Sequence, residues 1–420
     1  MQIKRTIKQQ ISAHISRPEI TLIVGPRQVG KTTLITQIAD QLKLQSKKVL
    51  TFNLDIEDDS VLFATQSQFI NRLKLELGNE KGYVFVDEVQ RKEDAGRFFK
   101  GIYDMKLPYK FILTGSGSVE LKEKISESLA GRKQLFEMLP VSFLEFLDYK
   151  TNYAYSDRLQ QFIKVNDPKL GYLLEEYLQF GGYPRVITSD TLERKRSEMQ
   201  EIYTSYLEKD IIQLLKIQKT ESFSKLLTLL ASQLGNGVNV AELSNTIGID
   251  SDTVKSYLWY LEKTYIVQVC TPFYTNVRSE LTKTPIVYFR DLGMRNYAQN
   301  RFSHFDMNVE GGSLFENFVL NHLGDNFRHL DPAINYWRTK DGAEVDFIFK
   351  VGAEIIPIEV KYQKLVKPNP GRAMHNFISK YSPEYALIVN LELDKSLFIE
   401  KTDVLFKSFS QFLIQDMAQF

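Results

Sequence analysis

The chain carries one cysteine in 420 residues, which excludes both a disulfide framework and a zinc site built on cysteine ligands. That residue, Cys270, closes the apolar text Ile-Val-Gln-Val-Cys, a context that predicts a buried, inert thiol in a reducing compartment. No apolar run approaches the length of about 18 residues that a membrane-spanning helix needs. The opening text, MQIKRTIKQQISAHI, lacks the continuous apolar stretch of a signal peptide, so a cytoplasmic protein without membrane association is expected. An excess of one charge is missing too. Lys and Arg number 53 and Asp and Glu 52, a formal net charge of +1, so no global basic field announces a polyanion and any nucleic-acid contact has to be local. Internal repeats and low-complexity linkers are absent. What is present is length with 43% hydrophobic residues, enough for more than one core.

From Thr21 onward, short apolar runs alternate with amphipathic helical stretches, the pattern of a wound α/β domain with a parallel sheet. The runs Thr21 to Val24, Val49 to Asn53, Tyr83 to Asp87, Phe111 to Thr114 and Leu135 to Leu139 are predicted strands. Helical periodicity dominates from about Leu159 to Leu234 and is broken at Asn236-Gly237. Division into four parts follows: a wound α/β core at 1–152, a helical lid at 153–234, a winged helix at 235–304 and a further α/β domain at 305–420.

The text Gly25-Pro26-Arg27-Gln28-Val29-Gly30-Lys31-Thr32, followed by Thr33, matches GxxxxGK[ST] after an apolar strand and before a helical pattern. Its glycines let the loop wrap so that backbone N–H groups and the helix N-terminus face phosphates. Lys31 is expected to reach the β and γ phosphates of ATP, and Thr32 to place its hydroxyl on Mg²⁺. The strand Tyr83-Val-Phe-Val-Asp87 ends in a second acid, Glu88. Asp87 is the second expected Mg²⁺ contact and Glu88 the residue that polarises attacking water. A glutamate there, with one strand candidate between the two motifs, matches additional-strand ATPases rather than kinases. Phe111-Ile-Leu-Thr114-Gly-Ser116 ends another strand in polar residues, and Thr114, then Ser116, is the candidate contact to the γ-phosphate or the lytic water.

GPRQVGKTTL, YVFVDEVQR, FILTGSGS, SLAGRKQLFEMLPVSFLEF and YLQFGGYP resemble the bacterial and archaeal AAA-type ATPases that carry a C-terminal restriction-endonuclease-like domain. The resemblance runs from about residue 18 to the end. It implies that Arg132, in the LAGR segment, acts in trans on a neighbouring subunit's phosphoryl group, and hence a homo-oligomer, with a hexamer as one option. A surface arginine paired with Glu127 or Glu137 is the plainer alternative. Arg185, after Gly181-Gly-Tyr-Pro184, is a candidate lid sensor.

Residues 238–270 read as two short helices around a turn, followed by strand-like text with prolines at 272 and 285, the outline of a winged helix-turn-helix. Ser251, Thr253 and Lys255 open the second helix, where a groove contact would fall. That helix holds only Lys255 and Lys263 against Glu262, a thin electrostatic case for DNA that leaves protein docking or lid packing as a competitor.

After Gly311-Gly312 a helix is predicted over SLFENFVLNHLGDNF, then strands at YWR, EVDFIFKV and IIPIEVKY. Residues two apart share a strand face, so Glu359 and Lys361 point one way. A hairpin brings Asp346 beside Glu359, and Glu316 can join from the helix. Such carboxylates plus a lysine suit a Mg²⁺ site that activates water at a phosphodiester. This resembles the PD-(D/E)XK nuclease core, with Val345 where a proline is usual. A solvated Glu-x-Lys pair is the alternative. Lys364, Lys367 and Arg372 are candidates to line a phosphate path or simply flank a loop. Two functions stand: an ATPase acting on or with DNA, and a STAND-like ATP-dependent switch with an inactive nuclease-like domain.

Overall fold

The computed structural model of the chain describes residues 2–116, 126–165, 167–207, 220–273, 284–303 and 306–417. Five strands, β1 (Ile20–Gly25), β2 (Lys48–Asn53), β3 (Gly82–Asp87), β4 (Tyr109–Ser116) and β5 (Lys133–Glu137), form one parallel sheet in the order β2-β3-β4-β1-β5. β1 and β3 are buried at every position, as expected of strands covered on both faces. Successive residues feed opposite cores. Ile23, Phe85 and Ile112 pack on the side of Leu34, Ile35 and Ile38. Leu22, Val24, Val84, Val86 and Leu113 pack on the side of Phe69 and Phe99. The five strands predicted from the sequence are all present, with ends that differ by one or two residues. β4 lies between β1 and β3, which is the additional strand, and the carboxyl ends of β1, β3 and β4 therefore share one rim.

The stretch predicted as helical holds the helices Leu159–Val165, Asp167–Phe180, Pro184–Ile187, Leu192–Ser205 and Thr220–Ser232. Next come Val240–Ile247, capped by the Asn239 side chain, and Ser251–Lys263, capped by Asp250. Gly248, at φ 78°, makes the turn between them. Two antiparallel strands follow, β6 (Val267–Cys270) and β7 (Ile286–Phe289).

The helix Met307–Asn326 precedes β8 (Ala333–Arg338), β9 (Glu344–Val351), β10 (Glu354–Val360), β11 (Tyr385–Asn390), β12 (Lys395–Ile399) and β13 (Thr402–Ser408). They form a sheet in the order β12-β13-β11-β10-β9-β8. β9 and β10 make the expected antiparallel hairpin, and β10 runs parallel to β11 after the crossover helix Gly371–Tyr381. One expectation is corrected: the helix does not begin after Gly311-Gly312 but runs through them, starting at Met307 with Asp306 as its cap. Gly311 is there for close approach, since a Cβ would stand 2.6 Å from the Tyr362 ring. The segment 271–273 joins the edge of this sheet beside β8, with Tyr336 N donating to Thr271 O at 3.1 Å and Phe273 N to Tyr336 O at 2.5 Å. Among the described residues, no helix is long and apolar enough to cross a membrane.

Candidate functional site

The loop after β1 wraps as its sequence requires. Gly30 takes φ 96° and Gln28 φ 61°, and a Cβ on Gly25 would stand 2.0 Å from the Met138 carbonyl oxygen, so only glycine fits at 25 and the left-handed turn at 30 favours it. Lys31 Nζ folds back onto the carbonyls of Gly25 and Pro26, at 2.9 and 2.7 Å. Thr32 Oγ1 donates to Asp87 Oδ2 at 2.6 Å, and the Thr114 hydroxyl donates to Asp87 Oδ1. The P-loop threonine, the β3 aspartate and the β4 threonine thus meet at one point. Thr32 and Asp87 offer the hard oxygen atoms that suit Mg²⁺. Glu88 stands next to them at φ 57°, with its carboxylate held by Gln90.

The loop opens onto a cleft of about 980 Å³, with Asp87 and Thr114 buried behind Thr32 and not in its lining. Gly30, Lys31, Thr32 and Glu88 form its floor, and the other wall comes from Pro184, Arg185 and the polar face of the Leu192–Ser205 helix. Arg185 reaches across. Its Nη1 donates to Gln28 Oε1 at 3.1 Å and to Glu201 Oε1 at 2.7 Å, and its Nε pairs with Glu198 at 2.6 Å. Ser197, Gln200 and Thr204 of that wall carry no motif and were not legible in the sequence.

Arg132 is elsewhere. It directly precedes β5, whose Lys133 registers with Ile20 at the start of β1 while Glu137 registers with Val24, so it sits at the rim opposite its own P-loop. Its partner is neither Glu127 nor Glu137 but Asp104, at 2.7 Å from Nε. Glu137 is taken instead by Tyr265, at 2.5 Å, and Arg328, at 3.0 Å. The side chain of Ser116 lies outside the described residues.

A further support of the loop escaped sequence reading. Arg5, partly buried, pairs with Glu145 at 2.9 Å and donates from Nη1 to the Val29 carbonyl at 3.0 Å and from Nη2 to that of Leu139 at 2.6 Å. Glu145 is itself the capping-box glutamate of the Phe143–Lys150 helix, a pattern the sequence carries in Ser142-Phe-Leu-Glu145.

In the helix pair, Thr253 is spent on the cap, donating from N and Oγ1 to Asp250 at 2.8 and 2.6 Å. Lys255 pairs with Asp252 at 2.9 Å, and Lys263 lies over the Trp259 ring at 5.7 Å. Cys270 is buried, and burial raises its thiol well above the usual range.

Glu316, Asp346, Glu359 and Lys361 converge in the C-terminal sheet. Asp346 Oδ2 accepts from Val360 N at 2.7 Å, and Lys361 Nζ donates to Glu359 Oε1 at 2.6 Å. Glu316 accepts from the Tyr288 hydroxyl of β7. The Glu-x-Lys pair is solvated only at its lysine end: the Lys361 side chain is 43% exposed, whereas that of Glu359 is 11% exposed and its Oε2 is buried without a hydrogen-bond partner. Burial lifts the Glu316 carboxyl to about 7, against the Tyr288 bond. Burial, then the neighbouring acids, holds Asp346 well above its usual value. Burial acts to lower Lys361, but the charges of Glu359, Asp346 and Glu316 outweigh it and leave the ammonium raised. Among the described residues no group of three or more His, Cys, Asp or Glu side chains is spaced to hold a metal ion. Lys364 is taken by a surface pair with Glu392.

Family models match three stretches: an AAA domain over residues 17–147, a domain of unknown function, DUF8612, over 171–304, and another, DUF4143, over 311–406. An uncharacterized protein of Mycobacterium tuberculosis is 27% identical over 378 residues, spanning 89% of this chain and 76% of the relative. One from Methanocaldococcus jannaschii is 26% identical over 365 residues, spanning 84% and 77%. Among solved structures, the Aeropyrum pernix Orc1 protein in complex with DNA aligns at TM-score 0.32 and 13% identity over 71% of this chain and 93% of that one. AMPPCP-bound DnaA from Aquifex aeolicus aligns at TM-score 0.29 and 17% identity over 61% and 86%. The N-terminal sheet and its loop are thus a P-loop core of AAA type, by their own topology and by the domain match over residues 17–147.

Proposed function

We propose that the chain is a Mg-ATP-hydrolysing AAA-type ATPase that acts on or with DNA as a cytoplasmic homo-oligomer. The observation that carries the ATPase is the meeting of Thr32, Asp87 and Thr114 through hydrogen bonds, with Thr32, Lys31 and Glu88 facing a cleft crossed by Arg185. Released from the loop carbonyls, the Lys31 ammonium neutralises the β and γ phosphates. The N–H groups of residues 25 to 33 cradle the chain of phosphates. Glu88 takes the proton of the attacking water, which Thr114 helps to orient. Thr32 and Asp87 would hold Mg²⁺, which would supply neutralisation of the developing phosphate charge. Arg132 serves a neighbouring copy.

The DNA assignment is supported by the helix pair with its β6–β7 ribbon, which has the outline of a winged helix. It is supported also by the order helix, three antiparallel strands, helix, parallel strand around Asp346, Glu359 and Lys361, the layout of a PD-(D/E)XK core. On this reading the chain divides at about residues 152, 234 and 304 into core, lid, winged helix and nuclease-like domain. The scarcity of unpaired basic groups on the Ser251–Lys263 helix favours the second reading, a STAND-like switch whose nuclease-like domain is inactive.

Turnover of ATP measured with and without duplex DNA at two salt concentrations separates them. A DNA-acting ATPase is stimulated, and its DNA binding weakens with salt; unchanged turnover leaves the switch. For the C-terminal carboxylates, Mn²⁺-dependent cleavage of DNA is expected to vanish in Asp346→Ala and Glu359→Ala, and cleavage that persists in both removes this site.

A further inference from the structure

Arg185 is presented to the P-loop by the turn Gly181-Gly182-Tyr183-Pro184, and the grip on that turn comes from far along the chain. Asp291, two residues past the end of β7, accepts the Gly182 N–H at 2.6 Å through Oδ2 and the Met294 N–H at 2.8 Å through Oδ1. It is 5% exposed. Burial lifts its carboxyl to about 6 against the backbone N–H groups of Gly182, Met294 and Gly293. A buried carboxylate is a costly way to cap the short Leu292–Ala298 helix, which a serine would cap without charge. The second oxygen is spent on Gly182. The surfaces meet without slack: a Cβ would stand 2.4 Å from Asp291 Oδ1 at Gly181, 2.4 Å from the Val141 oxygen at Gly182 and 2.1 Å from the Phe180 oxygen at Gly293. Asn296 adds a second tether, donating from Nδ2 to the carbonyls of Leu178 and Gln179, both at 2.9 Å. On the other side of the turn, Val141 N donates to Gly182 O at 2.8 Å. Val141 lies three residues after Met138, whose carbonyl abuts Gly25.

We propose that Asp291 is a positioning residue of the nucleotide site: by gripping the Gly181-Gly182 turn it fixes where Arg185 stands over the P-loop, so that the β6–β7 ribbon and the cleft shift as one piece. The proposal rests on the reading of the cleft as an ATP site. Asp291 touches no substrate itself and acts through Arg185.

The test is a double-mutant cycle read by titration with a fluorescent ATP analogue, at temperatures below each variant's melting transition. Arg185→Ala is expected to weaken binding about tenfold, the scale of a charge-assisted hydrogen bond. Asp291→Asn, which keeps a helix cap through its one oxygen but turns an NH₂ donor toward the Gly182 N–H, is expected to weaken binding several-fold. In the Arg185→Ala background it is expected to add nothing. Should the asparagine variant fail to fold, Asp291→Ser retains the Met294 cap, loses the reach to Gly182 and carries the same expectation. Losses that add in the double variant, or unchanged affinity in Asp291→Asn, overturn the assignment. A wild-type chain that binds no nucleotide overturns instead the reading of the cleft.

Discussion

Glu88 follows a fully buried strand and turns into the left-handed region at φ 57°, which aims its carboxylate out of the sheet and into the cleft rather than along β3. Glu88→Gln keeps the shape and the hydrogen bond to Gln90 but loses the base. ATP binding is expected to persist while single-turnover hydrolysis slows by at least about 100-fold, and wild-type turnover removes Glu88 from its role. His322 makes a different prediction. It is buried beside Phe412, with ring centroids 4.9 Å apart, and burial pushes its pKa from 6.5 down to about 3. Between those values the unfolded chain binds the proton and the folded chain does not, so stability falls as pH drops below 6.5, by up to roughly 1.4 kcal/mol per unit. Thermal melts of His322→Leu at pH 7 and pH 5 are expected to differ less than those of the wild type; an equal difference rejects His322 as a source of acid sensitivity.

At the scale of elements, legibility followed the range of the interaction. The strands ending at Gly25, Asp87 and Thr114 were readable because a two-sided parallel strand is apolar throughout and its motif sits at a fixed offset from its end. So was the β9–β10 hairpin. The glycine pair at 311 and 312 was not. Sequence alone treats it as a breaker, whereas the ring of Tyr362, some fifty residues on, is what requires the missing Cβ at Gly311. The lid wall escaped for the same reason. Ser197, Gln200 and Thr204 are ordinary polar positions of an amphipathic helix, and only the tertiary fold turns them toward the cleft. Arg5 and Asp291 likewise gain meaning from partners 140 and 109 residues away.

For the whole molecule, the parallel sheet sets Arg132 apart from the P-loop of its own chain. β1 carries the P-loop at one end and registers with the start of β5 at the other, which separates Arg132 from its own phosphate site by about 17 Å at ~3.3 Å per residue. A role for Arg132 in hydrolysis therefore requires a neighbour. Its pair with Asp104 is solvent-exposed, the kind easily exchanged for a better partner. Mixing Arg132→Ala with Glu88→Gln is expected to restore turnover that neither variant has alone, because mixed assemblies contain interfaces with both an intact arginine and an intact base. Absence of rescue, with assembly intact, removes the trans role.

Phe273 leaves the ribbon to pack with Trp337 and Phe377, and its backbone pairs with β8 where that sheet would otherwise end. The C-terminal sheet thus borrows its last partner from a segment before residue 284. A fragment cut at residue 305 would bare an aromatic hollow and an unsatisfied strand border together, the combination that invites self-association; excising the tail intact means starting the cut upstream of Thr271.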